Sequence, residues 1–163
     1  MVETSQSFAA TFLPNRNDTV SGSKIRVYDS EIPGYYKFIN GRFGFSIDFP
    51  QNFNNGFLPE NNDGATFKTG DGSASLSVWG SHNVAGWTVD DFFYDDQQQG
   101  YASRGEDWYV VSWEKDGIIY YKKQFISEQY SNGFIISYPK SQKDDFDSIV
   151  ANIERTFVPG WKK

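Results

Sequence analysis

The chain has 163 residues, of which 38% are hydrophobic and 18% aromatic, and this predicts a single globular domain with a sizeable core. Its formal net charge of −6 and isoelectric point near 4.7 exclude nucleic acid as a partner, because no dense Lys/Arg cluster offsets the repulsion of phosphate backbones. Cysteine is absent and no apolar run approaches the roughly 20 residues that cross a bilayer, so disulfides, thiol chemistry and a transmembrane segment are excluded.

The first 35 residues are rich in Ser, Thr, Asn, Asp and Pro, and their apolar residues are scattered singles. No period of 2 or 3.6 is sustained, so we predict a polar tether or weakly ordered segment at 1–35 and a single globular domain at 36–163. Such a segment is typical of the mature N-terminus left after a signal peptide is removed or a lipid is attached, although a frayed terminus of an intracellular domain has the same composition. Residues 24–28 alternate and favour a short edge strand.

The first regular strands are predicted on either side of Asn40-Gly41. This dipeptide favours a two-residue type I′ turn, because both central residues of that turn need positive φ. From residue 43 to residue 49 the odd positions are apolar, and Pro50 comes next. We therefore expect a strand with one face in the core and the other in water. Residues 51–63, rich in Asn, are predicted to form a loop.

A second hairpin and a short helix are predicted next. Alternation at 65–69 and 73–79, on either side of Gly70-Asp71-Gly72, predicts two paired strands. Thr88 has the features of a helix N-cap, and Asp91 completes an imperfect capping box. Gly100 is expected to end this helix.

The remaining elements are a meander and a helix. Strands at 107–114, 117–127 and 133–138 are separated by tight Gly-containing turns, which predicts antiparallel pairing. Ser141 is the predicted cap of the closing helix, with Asp144 and Asp145 in its first turn. Apolar residues then recur every three or four positions to form a stripe that must pack on a sheet: Phe146, Ile149, Val150, Ile153 and Phe157.

Three segments of this series resemble the PsbP/Mog1-like family: residues 44–50 (GFSIDFP), Asp71-Gly72, and residues 134–139 (FIISYP) together with the closing helix. The resemblance spans about residues 36–158 in the order of the elements. It implies an α+β fold, an antiparallel sheet with flanking helices in an α/β/α sandwich. Members assist photosystem II, bind a small GTPase of nuclear transport, or are uncharacterised exported or lipid-anchored bacterial proteins. They share a scaffold and not a site, so no functional residue is carried over.

Catalytic and metal sites find little support in the residues. His82 is the only histidine, and no Gly-x-Ser-x-Gly motif supplies a nucleophile for it. The neighbouring acids Glu106/Asp107 and Glu114/Asp116 have no identifiable opposing carboxylate. Residues 60–64 and 71–73 offer oxygen ligands of the kind calcium prefers, but without EF-hand spacing, so turn geometry is the preferred explanation. We therefore expect no enzyme, no cofactor and no metal.

The sequence favours a non-enzymatic binding or accessory domain. We expect it outside the cytoplasm, secreted or lipid-anchored, with the signal or anchor segment absent from this chain and a protein or envelope component as partner. Two alternatives stay open: a carbohydrate- or peptide-binding module that uses exposed aromatic residues, if one face of the sheet is open, and a hydrolase of unknown substrate. The candidate binding residues, expected to gather at one sheet end, are Trp79, His82, Trp87, Asp63 and Asp71.

Overall fold

A computed structural model describes residues 5–8, 16–20, 23–59, 61–96 and 100–162, which form two antiparallel sheets and two α-helices. None of the helices in these ranges is both long and apolar enough to span a membrane. The strands are β1 (Ser5–Phe8), β2 (Arg16–Val20), β3 (Ser23–Asp29), β4 (Tyr35–Asn40), β5 (Ser46–Pro50), β6 (Asn55–Pro59), β7 (Gly64–Lys68), β8 (Ser75–His82), β9 (Tyr101–Arg104), β10 (Trp108–Lys115), β11 (Ile118–Ile126) and β12 (Tyr130–Pro139). The helices are α1 (Val89–Asp95) and α2 (Lys143–Thr156), and a 3₁₀ turn, Lys140–Gln142, precedes α2.

The larger sheet has eight strands in the order β1-β6-β7-β8-β12-β11-β10-β9, and the smaller has four in the order β2-β3-β4-β5. The predicted meander is confirmed, because β10, β11 and β12 pair in sequence as antiparallel neighbours. Asp116 and Gly117 connect β10 to β11 with φ of 52° and 76°, as a tight hairpin turn requires.

The main core lies between one face of the large sheet and a layer that contains both the small sheet and α2. Phe67 on β7 stacks on Phe49 of β5, with ring centroids 4.2 Å apart. Phe157, directly after α2, packs against Phe134 of β12 at 5.5 Å. The apolar stripe of the closing helix therefore packs on the sheet as predicted, since Phe146 and Ile153 are buried and Ile149 and Val150 border the core.

The opposite face of the large sheet carries α1. Val89 of this helix packs on Tyr109, Val111 and Ile126 from β10 and β11, with Phe92, Phe93 and Trp113 at the border. The capping box at its start is confirmed, since the Thr88 side chain accepts from the Asp91 backbone and the Asp91 side chain accepts from the Thr88 backbone. The predicted α+β fold, an antiparallel sheet with flanking helices, is thus confirmed; the separate small sheet was not predicted.

The hairpin between β4 and β5 differs from the predicted two-residue turn. Asn40 N donates to Phe45 O at 2.9 Å, so residues 41–44 form a longer loop, and the positive φ (80°) falls at Gly44. Asn40 is fully buried: its amide nitrogen donates to Asn62 O at 3.1 Å and its amide oxygen accepts from Phe43 N at 2.8 Å. A tertiary hydrogen bond has therefore replaced the local turn preference.

Other differences also arise from pairing between distant segments. The predicted loop at 51–63 contains β6, which pairs with β7, and β9 was not predicted. The expected wet face of β5 includes Asp48, which is 3% exposed and accepts from Lys37 Nζ at 2.7 Å. Gln142, and not Ser141, occupies the N-cap position of α2, because Ser141 lies in the preceding 3₁₀ turn.

The predicted tether lies in part outside the described residues, at 1–4, 9–15 and 21–22, and the boundary at residue 35 stays a prediction. The alternation at 24–28 is observed as β3, which lies between β2 and β4 and not at an edge of the sheet. Ile25 and Val27 on this strand are buried in the main core.

Candidate functional site

A cleft of about 360 Å³ opens at the end of the large sheet where β8 ends and β12 begins. Its walls come from segments far apart in the sequence: the β4–β5 loop, the paired ends of β8 and β12, and the segment after α2. We call it the ring cleft. It is lined by Arg42, Phe43, His82, Tyr130, Gly160 and Trp161.

The aromatic rings of the ring cleft pack on one another. Phe43 and His82 are 5.4 Å apart between centroids, His82 and Tyr130 are also 5.4 Å apart, and Phe43 and Tyr130 are 6.2 Å apart. The pairs are tilted or edge-to-face, the arrangement that aromatic quadrupoles favour. His82 and Tyr130 remain exposed, so their rings also present surface to solvent.

Two glycines allow the walls to approach closely. A Cβ at Gly80 would lie 2.5 Å from the ring of Phe43, so that side chain packs directly against the backbone of β8. A Cβ at Gly160 would lie 1.7 Å from the carbonyl oxygen of Phe43, so the segment after α2 runs directly against the β4–β5 loop. Both contacts need a residue without a side chain.

Three asparagines with 0% exposure, Asn40, Asn62 and Asn132, lie behind the ring cleft. The amide oxygen of Asn132 accepts from Gly160 N at 2.8 Å, and its amide nitrogen donates to Ser131 O at 2.8 Å. The amide oxygen of Asn40 likewise accepts a hydrogen bond from Phe43 N, and its amide nitrogen donates to the carbonyl oxygen of Asn62. Buried amides fix backbone positions through directional bonds, so both walls are held in place before any ligand arrives.

Arg42 forms the charged rim of the ring cleft. Its Nη1 donates to Asp63 Oδ1 at 2.5 Å and to Asn61 O at 2.8 Å. Its guanidinium also lies 4.9 Å from the centroid of the Phe43 ring. One nitrogen of the guanidinium is thus held by two protein acceptors and its carbon lies over an aromatic ring, contacts that restrict the orientation of the remaining N–H groups.

Two of the five candidate residues predicted from the sequence meet here. His82 lines the ring cleft, and Asp63 joins it through Arg42. Trp79 lies one residue before Gly80 and faces the α1 side of the sheet, with Lys122 Nζ 5.7 Å from its ring. Trp87 lies in the loop after β8 and packs on Phe92 at 5.0 Å. A binding role for any of the five stays a prediction.

Asp71 lies at the far end of the β7–β8 hairpin, so the expectation that all five residues gather at one sheet end is wrong for it. Its Oδ1 accepts from Ser73 N at 3.0 Å, from Ser73 Oγ at 2.8 Å and from Thr69 Oγ1 at 2.8 Å. These hydrogen bonds, led by those from Ser73, lower the pKa of Asp71 from 3.8 to about 2. The acids at 61–64 and 71–73 therefore do not combine into one ligand set.

Arg42, Phe43, Tyr130 and Trp161 were not predicted as site residues. The alternation at 43–49 predicts a core strand that includes Phe43, and no sequence pattern assigned a role to Trp161. The one available signal was an aromatic residue directly after Pro159-Gly160, where a helix has already ended and a large ring has no local partner.

A second polar cluster lies under the end of α1. The Tyr109 hydroxyl is 2.8 Å from Asp96 Oδ2 and 3.0 Å from Gln124 Oε1, and Lys122 forms an ion pair with Asp96. Burial, together with the Asp96 carboxylate, raises the pKa of Tyr109 far above its ordinary value. These contacts fasten the C-terminal end of α1 to the sheet. In the part of the chain that the structure describes, no three His, Asp or Glu residues are grouped to hold a metal ion.

Part of the α1 side of the large sheet has no described element over it. Phe57 on β6 is 45% exposed there, and Trp79 and Ile135 are half-buried. We call these three residues and the surface between them the open face. Its groups are spread over several strands, whereas the ring cleft brings its groups together around one cavity.

Neither a family model nor a curated protein sequence matches the chain. Among solved structures, the solution structure of cyanobacterial PsbP (CyanoP) from Synechocystis sp. PCC 6803 is similar over 78% of this chain and 94% of that chain. The TM-score is 0.46 and the sequence identity is 14%. At 14% identity, site residues cannot be transferred from that structure to this chain, so the candidate site is described from the residues of this chain alone.

Proposed function

We propose that this chain is a non-catalytic binding domain and that the ring cleft is its ligand site. The observation that carries the proposal is the way the cleft is built, with buried Asn40 and Asn132 holding the backbones of Phe43 and Gly160. A hydrogen bond adds only about 0.5–1.5 kcal/mol of net stability, so burying amides is a weak way to stabilise a core. It is an effective way to fix two loops relative to each other, and a ligand site needs fixed walls.

The surroundings of His82 support a role in binding over one in catalysis. Its ring contacts Phe43 and Tyr130, and no described hydroxyl or carboxylate forms a hydrogen bond with its imidazole. Nucleophilic catalysis by a histidine base needs a nucleophile on one ring nitrogen and an orienting group on the other. The environment of His82 favours stacking contacts in place of that arrangement.

Exposed rings beside an arginine suit a small, partly apolar ligand group, such as a sugar ring or a short peptide. We also propose that the domain acts outside the cytoplasm, with a protein or envelope component as its natural partner. The polar composition of residues 1–35 supports this location. Fractionation of cells that express the tagged full gene product tests the location, and recovery in the cytosol alone would contradict it.

The binding site is tested by mapping amide chemical shifts with a panel of oligosaccharides and tripeptides, both neutral and acidic. We expect at least one panel member to shift the amides of residues 41–44, 80–83, 130–132 and 160–162. Tyr130→Ala should abolish these shifts, because Tyr130 lines the cleft. Tyr94→Ala is the matched control, since Tyr94 is a 63% exposed tyrosine on α1. The proposal fails if no panel member moves these amides, or if the shifts centre on the open face.

A further inference from the structure

We propose that the ring cleft takes an acidic saccharide, whose carboxylate is bound by Arg42 and whose ring lies against the exposed aromatic side chains. This inference rests on the proposed function of the same cleft and specifies the chemistry of the ligand. The donor groups that line the cleft determine which ligand groups complement it.

Arg42 presents a fixed pair of donors. Asp63 and Asn61 both accept from Nη1, and the guanidinium carbon lies over the ring of Phe43, 4.9 Å from its centroid. Its Nη2 and Nε have no acceptor among the described residues. Two parallel N–H groups on a planar guanidinium match the two oxygens of a carboxylate, and a protein contact that already holds the plane lowers the entropy lost on binding.

The other polar groups of the cleft are mainly donors too. The indole N–H of Trp161 donates only, whereas the hydroxyl of Tyr130 can donate or accept and a neutral His82 ring has one donor and one acceptor nitrogen. None of these three side chains has a hydrogen-bond partner among the described residues. A ligand that complements this cleft must therefore supply more acceptors than donors.

A saccharide meets this requirement better than a peptide does. A hydroxyl and a peptide unit each carry one donor and one acceptor oxygen, but a sugar hydroxyl can rotate its O–H toward solvent and still accept from the cleft. A peptide N–H has a fixed direction, so one that faces the donors of the cleft would lose its water without gaining an acceptor. The C–H face of a sugar ring is flat and apolar, which suits the exposed ring of Tyr130 and the half-buried ring of Trp161. A carboxylate on the sugar adds the group that Arg42 is oriented to bind.

Direct contacts, and not the field of the whole protein, must carry this affinity. The net charge of −6 repels an anion at long range, but charges more than about 8 Å away are screened at physiological ionic strength. Close to the cleft, Asp63 balances Arg42, and Lys162 pairs with Asp107 at 2.6 Å. We therefore expect the affinity to depend strongly on the geometry of Arg42.

The test compares digalacturonate with neutral galactobiose by isothermal titration calorimetry. These disaccharides share a ring type, and the acid carries carboxylates where the neutral sugar carries hydroxymethyl groups. We expect digalacturonate to bind at least about tenfold more tightly, since a hydrogen-bonded charged group contributes a factor of that order or more. Arg42→Gln should remove the preference.

Two further variants keep the test decisive. Arg42→Lys retains the charge and the pairing with Asp63 but loses the planar fork, so it should also lose most of the preference. Arg104→Gln is the matched control, because Arg104 forms an ion pair with Asp90 and lies 5.7 Å from the ring of Phe93, far from the cleft. It should bind both sugars like the wild type.

The outcomes separate this inference from the proposed function. Equal affinity for the two disaccharides, with shifts at the cleft amides, would overturn the acidic-saccharide inference and leave the ring cleft as a binding site. Tighter binding of a tripeptide with a free C-terminal carboxylate than of digalacturonate would overturn it as well. An unchanged preference in Arg42→Lys would show that the geometry of the guanidinium is not what selects the ligand, and this also contradicts the inference.

Discussion

Asn132→Ala is the sharpest test of how the ring cleft is held together. The side chain of Asn132 is fully buried on β12, and it connects that strand to Gly160 in the segment after α2. The substitution removes an amide oxygen and an amide nitrogen but leaves the β12 backbone to pair as before. It therefore isolates the side-chain bonds from the sheet itself.

The expected loss comes mainly from Gly160 N, which loses its hydrogen bond of 2.8 Å to the Asn132 side chain. Ser131 O also loses a hydrogen bond of 2.8 Å, but it lies opposite Ser81 in the β8–β12 pairing and a carbonyl oxygen can accept twice. An unsatisfied buried polar group costs about 1–3 kcal/mol, so the free energy of unfolding should fall by about 2 kcal/mol. For a chain of this length, each kcal/mol lowers Tm by about 2–4 °C, which predicts a Tm lower by about 4–8 °C.

Urea denaturation and calorimetry measure this loss, and amide hydrogen exchange locates it. The Gly160 amide should exchange faster in Asn132→Ala, while amides in the centre of β11 keep their protection relative to the lower global stability. Asn55→Ala is the control, because Asn55 is exposed on β6 and should change stability by less than about 0.5 kcal/mol. A loss below about 1 kcal/mol in Asn132→Ala, or an unchanged Gly160 amide, would refute the reasoning.

Three further predictions concern Gly160, Asp71 and Tyr109. Gly160→Ala should lower the free energy of unfolding by about 3 kcal/mol in urea denaturation, because its Cβ would lie 1.7 Å from the carbonyl oxygen of Phe43. Gly70→Ala is the control, since the nearest atom to its Cβ is 3.9 Å away, and it should cost less than about 0.5 kcal/mol; equal losses in the two variants would contradict this. The folded-state pKa of Asp71 is about 2 against an ordinary 3.8, so its stabilising effect should be complete above about pH 4 and lost as the pH falls through 2; a carbon-13 carboxyl titration with its midpoint near 4 would rule this out. Tyr109→Phe should lower the free energy of unfolding by about 1–2 kcal/mol at pH 7, because the hydroxyl loses its hydrogen bonds. The pKa of Tyr109 is raised in the folded protein, so the stability difference between wild type and variant should shrink as the pH rises above the ordinary tyrosine value of 10.0. A stability difference that stays constant between pH 8 and 11 would contradict this prediction.

Elements whose determinants are close in the sequence could be predicted. The capping box of α1 needs only Thr88 and Asp91, which are three residues apart. The turn at Asp116-Gly117 needs only two residues that tolerate positive φ. The apolar stripe of α2 likewise lies within one helix, so its period revealed both the helix and the face that packs on the sheet.

Features that depend on contacts between distant segments could not be predicted. Asn40 makes its decisive hydrogen bond to Asn62, 22 positions away, and no local pattern indicates that its amide is needed there and not in a type I′ turn. The ring cleft has the same origin, because the residues that line it meet only when the β4–β5 loop, the paired ends of β8 and β12 and the segment after α2 pack together. Sequence patterns identified His82 and Asp63 as candidates, but the arrangement around them is set by tertiary structure.

The backbone bridge between Ser46 and Val158 means that the core around β5 cannot be completed until the end of this chain has been synthesised. The β4–β5 hairpin is synthesised more than 100 residues before the segment around Val158 that pairs with it. Phe45 therefore leaves the ribosome before Phe157, whose ring stacks on it at 6.0 Å in the folded protein. A nascent chain arrested before α2 should therefore expose aromatic side chains that are buried in the folded protein, and chaperones should bind it. The chaperones should dissociate once α2 has emerged from the exit tunnel.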